Sequence, residues 1–222
     1  MAKVESVNIG RPRPNPHKKI GWTGIGKEPT DQPVQVRAPG PKTTGLGSGL
    51  VGDFIGDGEH HGGDDQAVYA FQREDLDDWE RRLGRELPNG FFGENLTTLG
   101  LDVNDARIGE RWRIGEEVVL QVTAPRIPCS TFRGWMGEKG WAKSFTAAGR
   151  PGAYLRVLVA GAITAGDPIE IIDRPDHRVS ITMMFKATTT ERELLPQLLA
   201  AEAYLDAETI DMARQGRIFL LD

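Results

Sequence analysis

Eight glycines fall among the nineteen positions 45–63. Each would cost roughly 1 kcal/mol inside a helix, so no regular helix crosses this segment. Between them and directly after them stand Asp53, Asp57, Glu59, His60, His61, Asp64 and Asp65 rather than the run of serines of a flexible linker. Such a composition predicts a structured loop that brings backbone and polar groups close to a partner. Over 222 residues, 27 Gly and 14 Pro make nearly a fifth of the chain. Average usage is about 12%, so the whole fold is expected to be rich in turns.

Short β patterns surround the loop at Lys3–Ile9, 32–38, 66–71, 117–124, 154–160 and 168–173, with β-branched or aromatic residues in alternation or short apolar runs. One helix stands out between them: Leu76, Trp79 and Leu83 share a face, and Gly84 sits where a left-handed cap belongs. No βαβ periodicity recurs, which favours a mainly β fold with some α, an antiparallel β-barrel with inserted helices. From about Ser180 the pattern turns helical. Pro196 suits a first helical residue, Asp206 an N-cap, and Gly216 the end of a helix containing Ile210 and Met212. The expected organisation is a barrel domain over 1–178 and a small helical appendage over 179–222.

Lys and Arg number 27 against 32 Asp and Glu, a net charge of −5, which argues against a broad basic face for a nucleic-acid duplex. No apolar run approaches the ~18 residues that span a bilayer, and residues 1–9 lack a charged-then-apolar leader pattern. The single cysteine, Cys129, forms no intrachain disulfide. Together these features predict a cytoplasmic protein.

Cys129 ends Ala124-Pro125-Arg126-Ile127-Pro128-Cys129, directly after an apolar strand. The two prolines stiffen the backbone that presents the thiol, as a ligating or nucleophilic sulfur requires. Arg126 and Arg133 favour its thiolate. A buried cysteine acting as a small hydrophobe fits the same residues. His60-His61-Gly62-Gly63 offers an imidazole as ligand or proton donor, or equally a polar turn. Asp53, Asp57 and His61 stand four apart, but the glycines forbid the helix that would align them. In Asn89-Gly90-Phe91-Phe92-Gly93-Glu94-Asn95 the amides suit either a heterocycle edge or an Asx turn. Walker-type, dinucleotide and thiol-protease signatures do not match.

Taken in order, Gly52-Asp53, His61-Gly62-Gly63, Ala67-Val68-Tyr69-Ala70, Phe92-Gly93-Glu94-Asn95-Leu96-Thr97-Thr98, Ile108-Gly109, Pro125-Arg126-Ile127-Pro128-Cys129 and Pro151-Gly152-Ala153-Tyr154-Leu155-Arg156 resemble the MOSC domain, the molybdenum cofactor sulfurase C-terminal module, in its stand-alone YiiM-type form. The tail resembles that type's three-helix appendage. The resemblance implies a MOSC-type antiparallel β-barrel that binds the molybdopterin form of the molybdenum cofactor and reduces N-hydroxylated bases and related small molecules. It implies Cys129 as the molybdenum ligand, with Arg126 holding the thiolate and the anionic cofactor. Lys27, in Gly24-Ile25-Gly26-Lys27, would meet the terminal phosphate. His61 with the Gly62 and Gly63 backbone would contact the pterin or an active-site oxygen, Asn95 would hydrogen-bond the pterin, and Arg156 would sit nearby. His61 is also the candidate proton donor. Asp64-Asp65-Gln66 stands where the family more usually has Pro-Asp-Arg or Pro-Asp-Lys. No flavin, haem or iron–sulfur motif is visible, so electrons are expected from a separate flavoprotein. The competing expectation is a carrier of molybdenum cofactor, or of sulfur as a Cys129 persulfide, without turnover.

Overall fold

A computed structural model describes residues 1–220. In chain order its elements are β1 (Lys3–Ile9), β2 (Arg13–Pro14), β3 (Trp22–Thr23), β4 (Glu28–Thr30), β5 (Val34–Val36), β6 (Val68–Gln72), α1 (Arg73–Leu83), β7 (Leu96–Leu99), β8 (Arg111–Ile114) and β9 (Val118–Pro125). They continue with α2 (Ser130–Met136), α3 (Trp141–Ala148), β10 (Ala153–Val159), β11 (Gly161–Ile163), β12 (Ile169–Asp173), α4 (Ile181–Thr189) and α5 (Ala207–Gln215).

The fold is mixed α and β, built on an eight-stranded sheet ordered β12-β8-β9-β10-β6-β7-β1-β4. Every pairing in it is antiparallel except β6 with β7, which α1 joins as one βαβ unit. The expected closure into a barrel is not found. β1 meets the segment entering β12 at the Lys3–Pro168 bridge, with Val4 N–H donating to Asp167 O at 2.9 Å, Gly166 N–H to Val4 O at 2.8 Å and Ile169 N–H to Ala2 O at 2.9 Å, and among the described residues no longer ladder extends from it. Asp167 also holds the turn before it, with Oδ2 accepting from Thr164 N–H at 2.8 Å.

α1 forms where its periodicity places it. Leu76 and Trp79 are buried, and Gly84, at φ 65°, donates its N–H to Glu80 O. In the tail, Ser180 caps α4 by accepting from Met183 N–H, and Asp206 caps α5 by accepting from Thr209 N–H at 2.6 Å. Between them 192–204 forms 3₁₀ turns broken at Ala201. Leu195 and Leu198 of this stretch and Met184 of α4 are buried in the same cluster as Val4, Leu120 and Leu155 of the sheet. α2 and α3 had no clear sequence signature. They exist because Phe132 and Met136, then Trp141 and Phe145, fall four apart and enter an aromatic cluster with Phe92 and Trp79. Among the described residues, no helix is long and apolar enough to cross a membrane.

Candidate functional site

The glycine-rich loop lies against the arm that carries β2 and β3, backbone to backbone. A Cβ on Gly24 would fall 1.9 Å from Phe54 O, and one on Gly56 would fall 2.2 Å from Trp22 O. Only glycine allows these approaches, which bring Asp53 beneath the arm. Asp53 is the knot of the region. Its Oδ1 accepts from Gly10 N–H at 2.6 Å and pairs with Lys27 Nζ, while Oδ2 accepts from Ser48 Oγ at 2.6 Å and Asn95 Nδ2 at 2.9 Å. The Asn95 amide is completed by Tyr69 N–H donating to its Oδ1 at 3.1 Å.

Beside this knot opens a cleft with about 680 Å³ of free space, counting its open mouth, whose wall includes Lys27, His61, Gly62, Asn95, Arg126 and Cys129. Cys129 sits at the head of α2 in extended conformation (φ −116°, ψ 171°). Burial opposes its ionisation, but a hydrogen bond from His61, the Arg126 charge and the Phe132 N–H outweigh it and bring the thiol down to about 6. Arg126 is 7% exposed. Its Nη1 donates to Phe92 O, and its guanidinium lies 4.0 Å from the Phe132 ring centroid and 5.2 Å from that of Tyr69. Tyr69 and Tyr154 pair across β6 and β10 with ring centroids 5.1 Å apart, and burial holds both phenols above their ordinary range. Behind Phe92, burial raises the Glu94 carboxyl to about 7, although its Oε1 accepts from Gly90 N–H at 2.6 Å and Thr97 Oγ1 at 3.0 Å.

Of the two adjacent histidines, His61 lines the cleft, whereas the His60 side chain is 65% exposed and turned onto Asp57 at 3.1 Å. Lys27 lines the cleft with its charge committed to Asp53. Gly63 lies outside the cleft wall and lines a neighbouring cavity. Arg156 is not brought to the cleft. Its Nε donates to Asp65 Oδ1 at 2.8 Å and its Nη1 to Gln121 Oε1 at 3.3 Å, further along β10 from Tyr154. Asp53, Tyr69, Tyr154, Trp22 and Gln66 complete the wall without having been singled out as site residues from sequence. The two tyrosines were legible in principle, since each occupies a strand position inside a motif that carries the family resemblance.

These contacts give a measurable signature in metal-free protein. Iodoacetamide labelling of Cys129 should be half-maximal near pH 6 and level above it, because only the thiolate reacts. His61→Ala should move the midpoint up and His60→Ala should leave it in place. A wild-type midpoint near the ordinary thiol value of ~8.5 would refute the electrostatic account.

A family model described as MOSC domain matches residues 57–170. YflK of Bacillus subtilis (strain 168) is 34% identical over 184 residues, covering 80% of this chain and 76% of that protein. A Gibberella moniliformis protein named reductase is 30% identical over 173 residues, 72% of this chain but only 30% of its own length. The crystal structure of YiiM from Geobacillus stearothermophilus superposes with a TM-score of 0.77 at 26% identity, covering 97% of this chain and 99% of that one. The fold and the matched segments define a MOSC-domain architecture of the YiiM kind. The chain belongs to the MOSC domain family.

Proposed function

We propose that this chain seats a molybdenum cofactor in the Cys129 cleft and reduces N-hydroxylated small molecules, with electrons from a separate flavoprotein and a cytoplasmic setting. The carrying observation is the thiol itself, accessible from the cleft and poised as thiolate between His61 and Arg126. Among the described residues no group of three or more His, Cys, Asp or Glu is arranged to hold a metal ion. The donor set is therefore one soft sulfur, which fits a metal that arrives with an organic ligand of its own. Arg126 suits an anionic group beside that sulfur, whereas the Lys27 charge is already offset by Asp53.

A bound molybdenum cofactor would supply the two electrons that break the N–O bond. The chain does the rest. Cys129 would fix the position of the group, Asn95 and Tyr69 hold the adjoining wall, and the His61 imidazole would deliver one of the two protons that the two-electron cleavage to amine and water consumes, the other coming from solvent at the open mouth of the cleft. Tyr69 and Tyr154 remain neutral phenols throughout, held so by burial.

A thiolate of this kind also suits a persulfide, so a sulfur- or cofactor-carrier is the second reading. Turnover of an N-hydroxylated substrate with a chemical electron donor separates the two. The test of the first is molybdenum per protein, by elemental mass spectrometry after expression in a cofactor-producing host. Near-stoichiometric metal is expected in wild type and a loss of most of it in Cys129→Ala, with circular dichroism unchanged. No metal in either folded protein overturns the proposal.

A further inference from the structure

Gln66 closes the short 3₁₀ turn Asp64–Gln66 that leads from Gly63 into β6. Its Oε1 is buried and has no hydrogen-bond partner among the described residues. An amide oxygen left unpaired away from water is costly, and native folds keep few of them without a reason. The residue also has an unusual position. Gln66 and Gly62 lie on the wall of the Cys129 cleft and equally on the wall of a second cavity, so the two spaces adjoin across this segment.

The second cavity differs from the cleft in charge and in origin. Its far wall comes from the helical tail through Tyr204, Asp206 and Glu208, facing Asp64 and Asp65 across the opening, with Lys42 as the one cation on the wall. A phosphate-bearing group is disfavoured there by four carboxylates against the Lys42 ammonium and the Arg156 guanidinium that pairs with Asp65. A neutral or cationic ring is not. The cleft, with Arg126 and the Cys129 thiol, is the better seat for an anionic cofactor, leaving the carboxylate side to the other reactant.

We propose that the second cavity is the substrate's way into the Cys129 cleft, and that the Gln66 amide, turned out of its buried pose, hydrogen-bonds the edge of a planar, unphosphorylated N-hydroxylated base as it arrives. The proposal rests on the reductase reading of the cleft and adds the substrate's side of it. A half turn of the amide exchanges its acceptor for its donor, so Gln66 meets either edge of a heterocyclic amidine. Tyr204, half-buried, supplies aromatic surface on the same route.

The test uses adenine as the probe and 6-N-hydroxylaminopurine as the substrate, with adenosine monophosphate as the phosphorylated control. Isothermal titration of wild type should detect adenine and show much weaker binding of the monophosphate. Gln66→Leu should weaken adenine about tenfold, the worth of one buried hydrogen bond. It should raise KM for the hydroxylaminopurine by a similar factor, leaving kcat and molybdenum content near wild type. Gln66→Glu, which keeps an acceptor at the same reach, should retain more affinity than Gln66→Leu. Glu208→Lys should narrow the preference for adenine over the monophosphate several-fold. No adenine binding by wild type, or equal affinity in wild type and Gln66→Leu, overturns the proposal. Gln66-dependent adenine binding by a protein that never acquires molybdenum would uphold this cavity as a base site while the reductase reading fell.

Discussion

Asp53→Ala is expected to destabilise the protein by about 3–5 kcal/mol, the usual cost of breaking a buried ion pair from one side. The Asp53 side chain is 1% exposed and that of Lys27 is 7% exposed, so the orphaned ammonium has little water to turn to. The same substitution strands the Gly10 N–H, the Ser48 hydroxyl and the Asn95 amide. For a chain of this length the loss corresponds to a fall in Tm of about 6–20 °C, read by thermal or urea denaturation. Asp53→Asn does not rescue it, because one face of the new amide presents donors to donors. The double variant Asp53→Asn with Lys27→Met should recover part of the loss, since removing both charges spares the uncompensated one. Independent, additive effects of the two substitutions would show that the pair is not the knot described above.

Asp53 also shows where the sequence is readable and where it stops. A loop of eight glycines announces close approach of backbone, and the approaches at Gly24 and Gly56 are of that kind. Nothing local says that the carboxylate at position 53 receives bonds from Gly10, Lys27, Ser48 and Asn95, four residues spread from 10 to 95. Elements with their own periodicity or caps were legible: β1, α1 with its Gly84 stop, and α5 between Asp206 and Gly216. α2 and α3 were not, because glycines at 134, 137 and 140 imitate a turn and the pull toward helix comes from tertiary aromatic packing. β7 was hidden inside a polar motif whose Thr97 and Thr98 are buried as strand residues. The barrel expectation is not confirmed, because β1 and the start of β12 meet at a single bridge with its flanking backbone bonds and not along a full ladder.

In the site, chain order carried the family motifs and hence Cys129, His61, Arg126 and Asn95 to one cleft, because each motif sits at the end of a sheet strand or at the turn beside it. Arg156 followed the same motif logic and went elsewhere. On a strand, residues two apart share a face, so facing does not separate them: Tyr154 lines the cleft and Arg156 lies further along the strand, where Asp65 captures it. A motif places the backbone, and the partner that happens to be in reach places the side chain.

Arg126→Met should be the most damaging change to the thiol short of removing it. The guanidinium reaches Cys129 from a dry position over Phe132 and Tyr69, where a unit charge is screened far less than at the surface. Without it, burial is opposed only by His61 and the Phe132 N–H, and the labelling midpoint should climb from near 6 toward the ordinary thiol range. At pH 7 that change lowers the reactive thiolate by about tenfold, and molybdenum retention should fall with it, since a thiol must lose its proton to bind metal. Stability should drop by about 1–3 kcal/mol through the Phe92 carbonyl left without its donor. Glu94 softens the cost, because a carboxyl already raised to about 7 can take up a proton when the neighbouring cation disappears. Arg126→Lys separates the two roles. It restores charge and so most of the low midpoint, but a lysine lacks the planar fork that serves Phe92 and the rings together, and stability should remain below wild type. A midpoint unmoved in Arg126→Met, in protein shown to be folded, would reduce Arg126 to a packing residue and leave His61 as the group that ionises the thiol.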